Sequence, residues 1–255
     1  MSSLHVHEFG TENGYPILAL HGVGGHGARW RQLAERHLAD FHVIAPDLRG
    51  HGRSDPHPPW TLEQHAADLL AVIDSYALTA VAVVGHSFGG AVALHLARLA
   101  PQRVGTLVLL DPVVGAHPGL ALERAETPQR VFADWDDAAA AQRFDWPHVP
   151  EELIAAELDT HLEQTADGWR FRYRAPAVAT AWSEMTRSPV LPNVGTPTLL
   201  VPALRESYVR PEFVRGCEVA LGNDFEVFGL NAGHLLYLER QADIGELIAN
   251  FIHRH

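Results

Sequence analysis

The chain has 255 residues, of which 47% are hydrophobic, and its formal net charge is −12. This length is enough for one well-buried domain with a small insertion, so no second domain is required. All 19 basic residues are arginine, which excludes Schiff-base chemistry, a P-loop and a Ser–Lys dyad, because each of these needs a lysine. The acidic balance, without a basic stripe, also argues against nucleic acid or an anionic membrane as a partner.

The sequence has no run of about 18 apolar residues, and its polar start, MSSLH, has no basic end leading into an apolar stretch. We therefore expect neither a membrane span nor a signal peptide, and a cytoplasmic location. The single cysteine, Cys217, excludes an internal disulfide and lacks the spacing of a metal site. His5 and His7 share one face of a strand, but no carboxylate partner is in view, so we expect no metal there and no cofactor elsewhere.

Strand-like and helical patterns alternate along the chain, which is typical of a parallel sheet covered on both faces by helices. The first two predicted strands, at 4–9 and 15–20, are joined as a hairpin by the turn-rich residues 10–14, and a helix at 28–39 and a strand at 41–45 follow. The next helix opens with the capping box Thr61-x-x-Gln64 and runs to about residue 76. After it come a strand at 81–84, a helix at 91–100, strands at 106–110, 198–201 and 225–228, and a closing helix at 239–252. Residues 113 to about 190 break this alternation. The fold class is therefore α/β, with a mostly parallel central sheet flanked by helices.

The segment GHSFGG, residues 85–90, lies between an apolar β-branched strand and a stretch with helical apolar spacing. A nucleophile elbow has this arrangement, because a strained turn lifts the serine hydroxyl clear of the sheet and needs small residues two before and two after it. Gly85 and Gly89 stand at those places. Ser87 is therefore the predicted nucleophile, and the N–H of Phe88, which opens the following helix, is a predicted donor to an oxyanion.

A second glycine-rich segment, GVGGHG at residues 22–27, matches the Gly-x-Gly-x-x-Gly pattern of dinucleotide-binding loops, with Asp47 at the end of the next strand. Because a serine elbow follows downstream, we favour another interpretation. In it, the loop lends the N–H of Val23 as the second donor to the oxyanion. His21, just before the loop, is interpreted as a residue that braces it.

Four segments, in this order and spacing, resemble the α/β-hydrolase fold superfamily: HGVGG at 21–25, DLRGHGRS at 47–54, GHSFGG at 85–90 and AGH at 232–234. The resemblance covers essentially the whole chain. It implies a site at the carboxyl ends of the strands, a core domain formed by residues 1–112 and 191–255, and a helical cap inserted at 113–190. The fold hosts esterases, lactonases, thioesterases, C–C bond hydrolases, lyases and receptors, so it does not name the substrate.

Chain order in this fold is serine, acid, histidine, and His234 follows the last predicted strand in a glycine-assisted loop. The acid has two candidates: Asp111, directly after the strand at 106–110, and Glu206, a few residues after the strand at 198–201. The resemblance places an aspartate most often at the second position, although some members take their acid from the first. Both candidates stay open, and Asp111 is slightly preferred because aspartate is the commoner triad acid.

These residues predict acyl transfer to Ser87 followed by hydrolysis, with His234 as general base and acid. The aromatic residues of the presumed cap favour an apolar or aromatic ester or lactone as the substrate: Phe132, Trp135, Phe144, Trp146, Trp169, Phe171, Tyr173 and Trp182. The expected protein is a monomer or a homodimer. Two alternatives remain: a C–C bond hydrolase or lyase that uses the same triad, and a ligand-binding receptor with little catalysis.

Overall fold

The computed structural model describes residues 4–255, and residues 1–3, part of the polar start discussed above, lie outside the described range. The strands are β1 (Val6–Gly10), β2 (Pro16–Leu20), β3 (His42–Pro46), β4 (Val81–His86), β5 (Val104–Leu110), β6 (Leu162–Thr165), β7 (Gly168–Phe171), β8 (Thr198–Val201) and β9 (Phe225–Val227). The helices are α1 (Arg31–His37), α2 (Leu62–Ser75), α3 (Phe88–Leu99), α4 (Pro118–Glu126), α5 (Trp135–Asp145), α6 (Glu151–His161), α7 (Ala175–Glu184), α8 (Pro211–Leu221), α9 (Leu236–Glu239) and α10 (Gln241–Arg254).

The described residues form a seven-stranded sheet in the order β1-β3-β2-β4-β5-β8-β9, and β6 and β7 form a separate hairpin. Neighbouring strands of the large sheet are parallel, except β1 with β3. The mostly parallel sheet flanked by helices is therefore confirmed. Because the parallel strands run in one direction, the loops that follow them meet at one edge of the sheet, where ligands bind in open α/β folds.

The predicted hairpin between the first two strands is wrong. β1 pairs antiparallel with β3, from Val6 opposite Pro46 to Gly10 opposite His42, while β2 lies between β3 and β4 and is parallel to both. The difference follows from burial. The last four residues of β2 are buried, as a central strand requires, whereas β1 is mostly half-exposed, which suits the edge of a sheet.

Apolar side chains alternate between the two faces of the sheet and form two buried clusters. In β4, Ala82 and Val84 belong to the cluster beneath α1 and α10, whereas Val83 belongs to the cluster beneath α2, α3 and α8. The N-cap at Thr61 is confirmed, because its hydroxyl accepts a hydrogen bond from the N–H of Gln64 at the start of α2, but the Gln64 side chain donates to Asp68 and does not complete the capping box. The two-sided core holds the strand ends, and with them the loops, in fixed positions.

Residues 113–190 contain the helices α4 to α7 and also the β6–β7 hairpin, so the expectation of a purely helical insertion is incomplete. An isolated bridge between Phe132 and Trp169 ties the hairpin to the chain before α5. Leu153 and Leu158 of α6 join the cluster beneath α1 and α10. This part of the chain leaves the carboxyl end of β5 and therefore starts at the edge where the loops meet. Among residues 4–255, no helix is both long enough and apolar enough to cross a membrane.

Candidate active site

Ser87 stands on a sharp turn between β4 and α3. Its backbone lies at φ 54° and ψ −117°, a left-handed conformation that is uncommon for a residue with a side chain and is typical of a strained functional turn. Gly85 and Gly89 make this turn possible. A Cβ at Gly85 would lie 2.5 Å from the carbonyl oxygen of Gly89, and one at Gly89 would lie 2.6 Å from that of Leu20. The strand, the turn and the helix that the sequence predicts are all present.

The structure brings together Ser87, His234 and Asp111, which come from three different loops. The Nε2 atom of His234 lies 3.0 Å from the Oγ atom of Ser87, and its Nδ1 atom lies 2.6 Å from Oδ2 of Asp111. The Asp111 side chain is fully buried, while that of His234 is 21% exposed. A serine, an imidazole and a buried carboxylate linked in this order form the arrangement in which a base activates a hydroxyl nucleophile.

Hydrogen bonds from the loop after β8 hold the carboxylate of Asp111. Its Oδ1 atom accepts from the N–H of Ala203 at 3.1 Å and from the hydroxyl of Ser207 at 2.6 Å, and its Oδ2 atom accepts from the N–H of Tyr208 at 3.3 Å. Glu206 lies in the same loop but is exposed, and within the described range it forms no hydrogen bond or ion pair. The geometry therefore favours Asp111 over Glu206 as the acid.

Two residues that the sequence did not indicate support the imidazole of His234. Tyr208 places its ring edge-on to the imidazole, with 4.6 Å between the centroids. His86 packs against His234 with 4.7 Å between centroids, and its Nε2–H donates to the His234 carbonyl at 2.8 Å. Burial, followed by the nearby His234, holds the pKa of His86 well below its usual value, so its ring is neutral.

The glycine-rich loop after β2 forms a tight turn next to Ser87. The N–H of Gly25 donates to the carbonyl of Gly22 at 3.0 Å, and Gly24 has φ +68°, as position i+2 of a type II turn requires. A Cβ at Gly22 would lie 3.1 Å from the Cβ of Ser87. Val23 therefore occupies the turn that borders the serine, and among residues 4–255 its N–H has no hydrogen-bond acceptor.

His21 braces this turn, as predicted. The N–H of Leu48 donates to its Nε2 atom at 2.9 Å, so the proton of the ring sits on Nδ1, which donates to the carbonyl of Gly22 at 2.8 Å. The second predicted donor, the N–H of Phe88, directly follows Ser87 in the chain. As the first residue of α3, Phe88 has no acceptor within the helix. Both N–H groups that the sequence predicts as oxyanion donors therefore belong to segments adjacent to Ser87.

The segment at 47–54 has a structural role. Asp47 accepts hydrogen bonds from the N–H groups of Gly27 at 2.7 Å and Arg53 at 2.8 Å. Burial alone would raise its pKa, but hydrogen bonds from His7, Arg53 and Gly27 outweigh that effect and hold the pKa well below its usual value. The expectation that His5 and His7 have no carboxylate nearby is wrong, because the potential ligand atoms of His5, His7 and Asp47 lie within 4.8 Å of one another.

A cleft of about 270 Å³ opens beside the site. Val23 and Leu235, the neighbour of His234, line it from the sheet side, and four of the expected aromatic residues line it from 113–190: Phe132, Trp146, Phe171 and Tyr173. The other four expected aromatic residues are not among those that line this cleft. Trp135 and Trp169 pack against the core, Trp182 lies beside Tyr208, and Phe144 is 83% exposed.

Buried histidines around the site predict that the protein loses stability in mild acid. Burial lowers the pKa of His51 to about 4 and that of His65 to about 3, and it holds the pKa of His21 and His161 well below 6.5. As the pH falls from 7 to 5, the unfolded chain takes up protons at these positions and the folded chain does not. Each histidine then lowers the free energy of unfolding by about 1–2 kcal/mol. Urea unfolding at pH 7, 6 and 5 measures this loss of free energy. H65L should make the free energy of unfolding depend less steeply on pH. Equal stability of the wild type at pH 7 and pH 5 would contradict the prediction.

The strand order, the serine turn and the histidine loop define the class of the α/β hydrolases. A family model described as the alpha/beta hydrolase fold matches residues 15–167. The chain belongs to this family, and the activity class that its relatives support is that of a hydrolase.

Two relatives and one solved structure show how far the likeness extends. Lipase LipV of Mycobacterium tuberculosis (strain ATCC 25618 / H37Rv) is 39% identical over 252 residues, which is 96% of this chain and 96% of that protein. Esterase YbfF of Escherichia coli (strain K12) is 28% identical over 207 residues, covering 79% of this chain and 78% of that protein. The crystal structure of E-2-(acetamidomethylene)succinate hydrolase superposes with a TM-score of 0.87 at 22% identity, covering 98% of this chain and 95% of that one, which supports the fold.

Proposed function

We propose that the protein is a serine hydrolase that cleaves a carboxylic ester or lactone of an apolar or aromatic small molecule through an acyl-enzyme on Ser87. The observation that carries this proposal is the continuous chain from Ser87 through His234 to Asp111, with distances of 3.0 and 2.6 Å. In this proposal, residues 113–190 act as a cap on a core formed by residues 1–112 and 191–255.

In the first half of the reaction, Ser87 Oγ attacks the ester carbonyl carbon while His234 Nε2 takes its proton. Asp111 keeps the other imidazole proton on Nδ1 and stabilises the imidazolium that forms. The negative charge that develops on the carbonyl oxygen is met by the N–H groups of Val23 and Phe88, the second of which lies at the positive end of α3. The tetrahedral intermediate collapses, and His234 gives the proton to the departing alkoxide.

In the second half, water replaces the alcohol. His234 takes a proton from the water as it attacks the acyl carbon, and the same two N–H groups hold the second oxyanion. Collapse of this intermediate returns the proton to Ser87 and releases the carboxylic acid. Every proton transfer in the cycle uses the imidazole of His234, which is partly exposed and so open to substrate and water.

The aromatic lining of the cleft supports an apolar or aromatic substrate. Trp146, Phe171 and Tyr173 offer large flat surfaces to an apolar acyl or alcohol group. The lipase and esterase names of the two relatives support an ester as the bond that is cleaved. The lining also includes Arg29 and Arg130, but Glu157 pairs with the first at 2.6 Å and Asp145 with the second at 2.7 Å, so the cleft offers no strong excess of positive charge.

Exposure to a fluorophosphonate followed by intact-mass measurement tests the proposal. We expect a single adduct that peptide mapping locates on Ser87, that is absent from S87A, and that is unchanged in S188A, which removes an exposed serine. The labelled enzyme should also lose its turnover of nitrophenyl esters. Absence of an adduct, or an adduct on another residue, would contradict an activated Ser87. Labelling without turnover of any ester or lactone would instead favour the C–C bond hydrolase or receptor alternatives.

A further inference from the structure

A buried cluster joins residues 113–190 to the Gly22–Gly25 turn, and its four side chains are here named the turn clamp: His26, Arg29, Glu157 and His161. Both oxygens of Glu157 are occupied, with Arg29 donating at 2.6 and 2.9 Å and His26 Nε2 at 2.9 Å. The ring of His161 stacks on that of His26 with 4.5 Å between centroids. The proposed reaction uses none of these side chains, although burying them is energetically costly.

Two members of the turn clamp, Glu157 and Arg29, form an ion pair although they are buried. Desolvation alone would raise the pKa of Glu157, but the charge of Arg29, followed by His26, outweighs it and holds that pKa well below its usual value. The guanidinium of Arg29 is stabilised in return, so its pKa is raised. Glu157 belongs to α6 and Arg29 to the loop after β2, 128 residues apart in the chain. The ion pair therefore fixes α6 against this loop.

The turn clamp acts on one carbonyl group of the turn. His161 Nε2 donates to the carbonyl of Gly24 at 3.1 Å, and Arg29 Nη2 donates to the same oxygen at 3.4 Å. That carbonyl belongs to the peptide whose N–H, on Gly25, closes the turn onto Gly22. Because a peptide unit is planar, fixing its oxygen and its N–H fixes the plane. The Gly22 carbonyl that accepts this N–H belongs to the same peptide unit as the Val23 N–H, so the clamped peptide also restrains the direction of the Val23 N–H.

We propose that His161 and the Arg29–Glu157 ion pair are positioning residues, through which residues 113–190 hold the Val23 N–H in line with the oxyanion of the reaction. This inference rests on the proposed function. It gives α6, which carries Glu157 and His161, a part in stabilising the transition state. The donor itself is a backbone group of the core, and His161 and Glu157 do not belong to the lining of the cleft, whereas Arg29 does.

A substitution at His161 tests the proposal most directly. H161F keeps an aromatic ring to stack on His26 but removes the donor to Gly24, whereas H161Q can place an amide N–H near the position of Nε2. With a nitrophenyl ester, we expect H161F to lower kcat by about 10- to 100-fold with KM within about twofold, because an oxyanion donor acts only in the transition state. H161Q should recover kcat to within about threefold of the wild type. H42F serves as the control. His42 is also a buried histidine, but it lies at the start of β3, at the amino ends of the parallel strands, and is hydrogen-bonded to Glu8. We expect H42F to leave kcat and KM unchanged.

A second readout separates positioning from a general loss of structure. An alkyl trifluoromethyl ketone accepts Ser87 Oγ at its carbonyl carbon and leaves an oxyanion, so its inhibition constant in H161F should rise by the same factor as kcat falls. Binding of the carboxylate product, which has no such oxyanion, should not change. A wild-type kcat in H161F, or equal weakening of the binding of the ketone and the product, would overturn the inference. Labelling of Ser87 in the wild type would then leave the proposed function intact. Failure of the wild type to label at Ser87 would overturn both.

If H161F does not fold, the double variant R29Q/E157Q gives the same test. It removes the second donor to Gly24 without leaving one buried charge unpaired, which is the main cost of breaking a buried ion pair. We expect a fall in kcat of about 10-fold and a matching rise in the inhibition constant of the ketone; KM is not used as a readout for this variant, because Arg29 also lines the cleft. A double variant with wild-type kcat and the wild-type inhibition constant for the ketone would contradict the proposal.

Discussion

D111N is expected to lower kcat/KM for an ester by about 10⁴-fold, the scale of loss seen when the acid of a serine protease triad becomes an amide. The amide NH₂ group cannot accept a hydrogen bond from the Nδ1–H of His234. The imidazole therefore adopts the other neutral tautomer, in which Nε2 carries the proton. A protonated Nε2 cannot take the proton of Ser87. Asparagine matches aspartate in size and also tolerates the left-handed backbone at residue 111, where φ is +40°, so the fold should persist.

E206Q is the matched control, because it makes the same chemical change in the neighbouring loop. Glu206 is exposed, so we expect kcat/KM within about twofold of the wild type. Steady-state kinetics on both variants, with thermal melts to confirm folding, separates the two candidates. A large loss in E206Q with little loss in D111N would reverse the assignment, and small, equal losses in both would rule out either carboxylate as the triad acid.

The sequence could narrow the acid to two residues but could not choose between them. Asp111 and Glu206 each follow a strand of the parallel sheet, so both reach the edge where the histidine loop lies. The choice depends on the loop after β8, which turns the N–H groups of Ala203 and Tyr208 and the hydroxyl of Ser207 toward Asp111. These are side-chain and loop geometries, and neither hydrophobic periodicity nor motif spacing reports them.

Elements with strong local signals were predictable, and pairings between distant parts of the chain were not. The elbow from β4 to α3 and the cap of α2 at Thr61 depend on residues within a few positions of one another. The edge position of β1 depends on pairing between residues 32 to 40 positions apart, from Gly10 with His42 to Val6 with Pro46, and the contact of Glu157 with Arg29 joins residues 128 positions apart. A single glutamate within an amphipathic helix has the same appearance in sequence whether it is exposed or buried against an arginine.

G89A is expected to disable the enzyme although alanine is the better helix former. In an exposed helix interior, Gly→Ala stabilises by up to about 1 kcal/mol. At residue 89, however, the new Cβ would lie 2.6 Å from the carbonyl oxygen of Leu20 and 2.7 Å from that of His21. Both are backbone atoms of a central strand and the loop after it, so α3 must move instead. We expect the free energy of unfolding to fall by about 1–3 kcal/mol, as for an overpacked core.

The loss of activity in G89A should exceed what this destabilisation alone explains. Movement of the start of α3 displaces Ser87 Oγ and the Phe88 N–H together, and a shift of about 1 Å in a catalytic group costs about 10²-fold in rate. G119A is the control, because Gly119 lies in the first turn of α4, is exposed, and its added Cβ would meet only the His117 side chain, at 3.1 Å. We therefore expect kcat/KM in G89A to fall by at least about 10²-fold under conditions where the protein is fully folded, and to stay unchanged in G119A. A folded G89A with wild-type kcat/KM would show that the close packing of α3 against β2 does not set the position of the serine.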